Sequence, residues 1–334
     1  TLKFIFLLTF FSCVEPIEIE TITYENFLVV EASITDELKQ HTIKLSRTFE
    51  VDKSGFNPET GAQVSITDSQ NITYGFIEVS SGEYASSTIF KAESNLEYIL
   101  DVRTKDGRSY KSKKQTLTAA ASIEKLTTNI ETSTEGEEGI SISVHSFNPN
   151  NNSNYYRYKY EETYKISPPF WSDEELRIVS DRRPFRGEVI KKTVNNEHCY
   201  KTELSNEIIL TETKSLAEDR INFPVRFILD TDFKISNRYS ILVKQYVQTF
   251  EAYSYFETLK KLPSSENVFN QSQPGFINGN IISETDINEK VIGFFEVSSV
   301  SEKRIFFNFK DIFPNKDTEY PYSCDFAAPI IFDS

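Results

Sequence analysis

The sequence predicts a mainly β protein of about two domains, on three observations. Short runs of alternating apolar and polar residues recur along the chain. β-Branched and aromatic residues dominate the apolar set, and glycine is scarce: 27 Phe and 17 Tyr stand against 11 Gly in 334 residues. Alternation of period two marks a half-buried strand, and β-branched and aromatic side chains are those that fit a pleated surface. With 38% hydrophobic residues the chain is long enough to bury a sizeable core.

The elements follow in order. Residues 27–34 form a dense apolar run, and 41–48 alternate with Ile43 and Leu45 on one face. Residues 62–68 alternate through Val64 and Ile66, 71–79 follow a tight turn at Ser69 and Gln70, and 96–104 alternate through Tyr98, Leu100 and Val102. Asp106 and Gly107 supply a hairpin turn from which 108–114 return. Together, 27–116 are expected to form an Ig-like antiparallel β-sandwich. The segment 116–122 is a plausible junction, and 123–312 a second β-rich, sandwich-like domain.

That second domain opens with strands at 123–130 and 140–147 around an acidic turn. An Asn-rich loop then leads to 155–166, the most aromatic strand of the chain. Tyr156, Tyr158 and Tyr160 share one of its faces, and Tyr155, Arg157, Lys159 and Glu161 the other. Residues 167–198 read as a long excursion, and loops of that length are usually functional or disordered. Strands at 203–210, 223–229 and 238–247 precede one helix at 248–262. The helix carries Phe250, Tyr253, Phe256 and Leu259 at spacings of three, Lys260 and Lys261 in its last turn, and Pro263 as a stop. Strands at 276–282, 291–297 and 303–309 close the domain, leaving 313–334 as a C-terminal segment.

At the N-terminus an apolar run at 4–11 precedes Ser12 and Cys13, and Glu15, Glu18 and Glu20 follow. That order is the pattern of a bacterial lipoprotein export signal, although Phe11 is large for its place. The expectation is that residues 1–12 are removed, Cys13 is acylated, and 13–26 form a tether. Setting Cys13 aside leaves Cys199 and Cys324, which an oxidising compartment would join in a disulfide. Closing a loop of about 125 residues contributes about 3–5 kcal/mol in the chain-entropy model. Two free thiols are the alternative.

The net charge of −14 argues against a nucleic-acid binder and against a polybasic membrane-surface protein. The three histidines, His41, His145 and His198, have no metal-ligand spacing, and neither a nucleophile elbow nor a phosphate loop is present. No metal, cofactor or catalytic residue is therefore expected. The adjacent carboxylates Glu161–Glu162 and Glu174–Glu175 read as solvated surface, and Asp230 and Asp232 as a strand edge rather than a calcium chelate. The best binding candidates are Phe170 and Trp171 with Arg182, Arg183 and Arg186. Aromatic faces stack on sugars or apolar partners, and arginine anchors anions. The alternative for Trp171 is a plug in the core below the loop.

Six stretches carry a family resemblance: FLVVEASIT (27–35), HTIKLSRT (41–48), GAQVSITD (61–68), YYRYKYEETY (155–164), YSILVKQYVQTFEAYSYFETLKK (239–261) and GFINGNIISETDINEKVIGFFEVSSVSEKRIFF (275–307). In these the sequence resembles the Bacteroidota outer-membrane lipoproteins grouped as the domain of unknown function DUF4249. The resemblance implies an Ig-like sandwich followed by a second β-rich domain, encoded in many genomes beside a TonB-dependent transporter. The expectation is a non-enzymatic outer-membrane protein, anchored through acylated Cys13 and facing outward, that serves a TonB-dependent β-barrel as an accessory subunit. The rival classes are a stand-alone glycan- or peptide-binding surface lipoprotein, a structural subunit of an envelope-assembly or secretion machine, and a hydrolase.

Overall fold

The computed structural model describes residues 26–48, 57–168, 170–184, 186–261, 277 and 279–318. The protein is mainly β. The first strands are β1 (Leu28–Thr35), β2 (Thr42–Arg47), β3 (Gln63–Asp68), β4 (Thr73–Ser80), β5 (Glu83–Ser86), β6 (Glu97–Arg103), β7 (Ser109–Ser112) and β8 (Gln115–Thr116). Then come β9 (Ile123–Thr132), β10 (Glu138–Asn148), β11 (Tyr155–Ile166), β12 (Glu174–Ser180), β13 (Arg186–Lys191), β14 (Cys199–Leu204), β15 (Ile209–Glu212), β16 (Asp219–Leu229) and β17 (Arg238–Val247). Helix α1 (Phe250–Lys261), β18 (Ile281–Ser283), β19 (Val291–Ser298), β20 (Val300–Asn308) and the one-turn α2 (Phe309–Ile312) complete the order.

The first unit is one sheet in the order β18-β7-β6-β3-β4-β5-β2-β1-β19, with β8 beside β6. Strict alternation builds it. In β1, Leu28, Val30, Ala32 and Ile34 are buried, so Val29, Glu31 and Ser33 face the other way. The sheet curls around a core that includes Tyr84, Tyr98, Tyr110 and Phe295 until its two ends approach. Asn280 bridges that gap. Its side-chain amide donates to the Phe295 carbonyl and accepts from the Phe295 N–H, both at 2.8 Å, as a neighbouring strand would.

This unit does not end at residue 116. β18 and β19 belong to its sheet, and β19 runs parallel to β1 from Leu28↔Val291 to Thr35↔Ser298. A parallel pair needs a crossover, and here it runs through β2–β8 and then β9–β17 of the second unit, inserted between β8 and β18; β20 returns to the second unit after β19. Local periodicity identifies β19 as a strand but carries no information about a partner so distant in sequence.

The second unit is a sandwich. The sheet β16-β10-β9 faces the sheet β14-β11-β17-β20, with β15 alongside β11. Ile140, Ile142 and Val144 of β10 and Tyr156, Tyr158, Ile241 and Val243 of the facing sheet belong to one buried cluster. Two of the buried tyrosines satisfy their hydroxyls within the core: Tyr156 donates to the Asp219 carboxylate at 2.6 Å and Tyr158 to Gln245 Oε1 at 3.1 Å. The tyrosine face predicted for β11 is thus core.

The helix forms where expected, and the Thr249 hydroxyl accepts from the Ala252 N–H at 3.2 Å at its start. Its buried face differs from the predicted one. Ala252 and Tyr255 are buried and Phe250 is exposed. A strict spacing of three slips about 60° per step, so Phe250 and Leu259 lie on opposite sides. The excursion, expected as a loop, contains a two-stranded hairpin of β12 and β13, paired with each other alone. Among the described residues no helix is long and apolar enough to cross a membrane.

Three connections join the units: the segment 117–122, the stretch from β17 to β18, and Ser299, the single residue between β19 and β20. They are hydrogen-bonded to one another. Ser299 N–H donates to Thr118 Oγ1 at 2.9 Å, its hydroxyl to the Ala119 carbonyl at 2.7 Å, and its own carbonyl accepts from Val247 N–H at 3.1 Å. The junction is tied by backbone and hydroxyl hydrogen bonds rather than being a free tether.

Candidate functional site

The two units meet along a cleft of about 560 Å³, within the size range of small-ligand sites. Alternation supplies its walls. With Leu28, Val30 and Ala32 in the core, Glu31 and Ser33 of β1 face the cleft; with Tyr156, Tyr158 and Tyr160 in the other core, Arg157 and Lys159 of β11 line it from across. Helix α1 adds Tyr255, Phe256 and Leu259, and β19 adds Phe294 and Glu296.

The seam is keyed by one ion pair. The Arg157 guanidinium of the second unit pairs with the Glu296 carboxylate of the first, both nearly fully buried. Gln248 Nε2 donates to the other Glu296 oxygen at 2.9 Å. The guanidinium lies against two rings, 4.8 Å from the centroid of Tyr246 and 4.5 Å from that of Phe256. At the rim Lys244 bridges Glu37 at 3.1 Å and Glu302 at 3.0 Å, and Val300 N–H donates to Asp36 at 2.9 Å.

Other charges in the cleft are unmatched. Lys44, Lys159, Glu31 and Glu207 line it, and among the described residues none of these side chains makes a hydrogen bond or ion pair, although Glu31 and Lys44 stand opposite each other across β1 and β2. Desolvation, and then the charge of Arg157, pull the Lys159 pKa below the usual lysine value. The cleft therefore offers an aromatic wall, cations and carboxylates side by side, and a lysine whose ammonium gains from an anionic partner.

A second, polar site lies on the far side of β11. Glu162 is buried and accepts from Lys234 at 2.6 Å, Tyr239 at 2.7 Å and Arg226 at 3.2 Å. Burial opposes its charge, but these donors outweigh it and hold the carboxyl below its ordinary value. Glu162 is not the solvated surface residue that its neighbour Glu161 led us to expect. Its clue was in the register: Glu162 shares the face of Tyr156, Tyr158 and Tyr160, so it had to meet a partner in the core.

The predicted binding group is divided. Trp171 sits at the base of the hairpin, where its Nε1–H donates to Asn196 Oδ1 at 3.0 Å and the Lys192 ammonium lies 5.5 Å from its ring centroid. It belongs to none of the buried clusters, so it is no core plug. Phe170 beside it is 61% exposed. Arg182, Arg183 and Arg186 stand exposed at the hairpin's turn, about 20 Å away by the rise of a seven-residue strand. Cys199 is exposed at the start of β14; its expected partner Cys324 and the expected lipid-bearing Cys13 lie outside the described residues. Asp232 accepts from the Lys234 N–H at 2.9 Å, capping a short helical turn at Phe233–Ile235, and Asp230 pairs with Lys316. Among the described residues no group of three metal-ligating side chains comes together.

A family model described as a domain of unknown function (DUF4249) matches residues 14–304. No curated protein matches the sequence. Among solved structures, the native conformation of E. coli alpha-2-macroglobulin is similar at a TM-score of 0.20 and 8% identity, covering 69% of this chain and 14% of that chain. That likeness is too slight to bear on fold or function.

Proposed function

The chain belongs to the DUF4249 family, and on that premise we propose that it is a non-enzymatic, lipid-anchored outer-membrane protein that captures a ligand in the cleft between its two units. It faces outward, tethered at Cys13, as an accessory subunit beside a TonB-dependent transporter. The observation that carries the binding role is the cleft itself: an aromatic wall opposite unmatched lysines and glutamates, held by a tied junction. Mixed charge beside apolar surface suits a small amphipathic ligand bearing both signs, such as a short peptide. Tethering raises the effective concentration of such a site near a partner in the same membrane.

The test has two arms. Detergent-solubilised native protein is purified and its companions identified by mass spectrometry; recovery of a β-barrel transporter is expected, and its absence removes the transporter role. A defined tripeptide pool is then scored by thermal shift on the wild type and on Lys159→Glu. Stabilisation of the wild type that the variant loses is expected; equal shifts, or none, remove the cleft as the binding site. Cys13→Ser should release the protein from the membrane fraction, and full retention refutes the anchor.

A further inference from the structure

The chain carries a net charge of −14; residues 173–192 hold six basic and five acidic side chains, and at the turn Arg182, Arg183 and Arg186 stand against the single carboxylate of Asp181. The hairpin of β12 and β13 gathers them on an arm standing clear of both cores. On that arm the charges are sorted. Arg177 is paired with Glu188 across the strands, and Lys191 lies 3.7 Å from Asp173. Arg182, Arg183 and Arg186 at the turn have no ion pair among the described residues.

The apolar side chains of the arm are equally displaced from their usual place. Leu176 and Val189 face each other across the hairpin, and Ile178 opposes Gly187. Leu176 overhangs Gly187, so that a Cβ there would meet its Cδ1 at 2.9 Å. Leu176, Ile178 and Val189 thus form one aliphatic face, exposed by 61%, 70% and 64%, and Val179 adds a further side chain exposed by 57%. Single exposed aliphatics are ordinary, but a contiguous face of them marks an interaction surface. Among the described residues no other strand pairs with this ribbon and its side chains belong to none of the buried clusters.

We propose that this hairpin is a membrane-docking arm that sets its aliphatic face into an anionic lipid surface while Arg182, Arg183 and Arg186 bind the phosphates above it. Charge complementarity selects the occupant. The molecule as a whole is acidic and is repelled by an anionic bilayer, so the arginine-rich turn is the end of the arm that approaches it favourably. Arginines flanking exposed aliphatics reproduce the division of an interfacial element, with chains in the acyl boundary and guanidinium groups at headgroup level. The arm goes beyond the cleft reading and does not depend on it.

The experiment uses the chain processed at residue 13 with Cys13→Ser, so that no acyl chain contributes. It is mixed with vesicles of phosphatidylglycerol and phosphatidylcholine, and separately with phosphatidylcholine alone, and co-sedimentation is measured. Binding to the anionic vesicles, weakened by salt and absent from the neutral ones, is expected. The triple variant Arg182→Gln/Arg183→Gln/Arg186→Gln should lose affinity on the order of a hundredfold, and Leu176→Ser/Ile178→Ser/Val189→Ser should lose what salt does not remove. Thermal melting of all forms should coincide, since these side chains are exposed. Absence of anionic-vesicle binding, or equal binding by the arginine variant, overturns the proposal. Arginine-dependent capture of a barrel protein without vesicle binding overturns it too, and puts a protein in the lipid's place. None of these outcomes bears on tripeptide binding in the cleft.

Discussion

At the seam between the units, a cation is buried, paired with Glu296 and laid between two rings; on the hairpin arm, three cations at the turn stand in solvent beside bare aliphatic side chains. The same residue type serves both regions, but its energetic weight differs with burial. A buried ion pair contributes little over a well-packed apolar substitute, while losing one partner strands a charge at high cost. An exposed arginine contributes almost nothing to folding, so its cost lies in whatever it binds. The seam is accordingly where substitutions should disturb the fold, and the arm where they should disturb association.

The largest expected effect breaks the seam. Arg157→Ala leaves Glu296 buried and unpaired and should destabilise by about 3–5 kcal/mol in chemical denaturation. Arg157→Met with Glu296→Leu should recover most of that loss; a single variant costing under about 1 kcal/mol would show that the pair does not key the units together. Next is Asn280→Ala, which strips the Phe295 N–H and carbonyl of their partners and should cost about 2–6 kcal/mol at 1–3 kcal/mol for each unmet buried group. Its loss should appear first as faster hydrogen exchange at Phe295.

A smaller, pH-confined effect comes from His41 in the first core. Its ring lies 3.0 Å from the Phe90 carbonyl and edge-on to the Phe90 ring. Burial, and then the charge of Lys39, depress its pKa to about 4. The unfolded chain binds a proton near pH 6.5 and the folded one only near 4. Stability should therefore be complete above about pH 6.5 and fall as pH drops toward 4. His41→Gln should flatten that part of the curve in urea melts taken at each pH.

The smallest effect belongs to the arm. Arg177→Ala removes the exposed pair with Glu188 and should shift stability by no more than about 0.5 kcal/mol. A larger loss would mean that the arm is packed in solution, which erases the contrast with the seam.

Much of the fold was legible in local alternation. The β11 pattern separated the tyrosine face that forms core from the face of Arg157 and Lys159, the run at 27–34 marked β1 without telling its faces apart, and the helix appeared within two residues of its predicted ends. The same alternation held the cleft, since it put Arg157 and Lys159 opposite the tyrosines. Glu296 within VIGFFEVS was a further signal, a carboxylate in an apolar run that requires a partner. The identity of that partner was not legible, because pairing across the units depends on the insertion, and the insertion depends on β1 and β19 meeting from opposite ends of the chain. The hairpin hid for another reason. Its strands interleave charges and aliphatics without one buried face, so no clean period survives.

The parallel contact of β1 with β19 has a kinetic consequence. Residue 28 emerges early in synthesis and residue 291 late, so one side of β1 stays an open edge while β9–β17 of the second unit are made. Open edges invite pairing with other chains, and contacts this distant in sequence form slowly. The curled sheet of the first unit is therefore finished almost last, and a product truncated before β19 should aggregate even though every strand up to β18 is present.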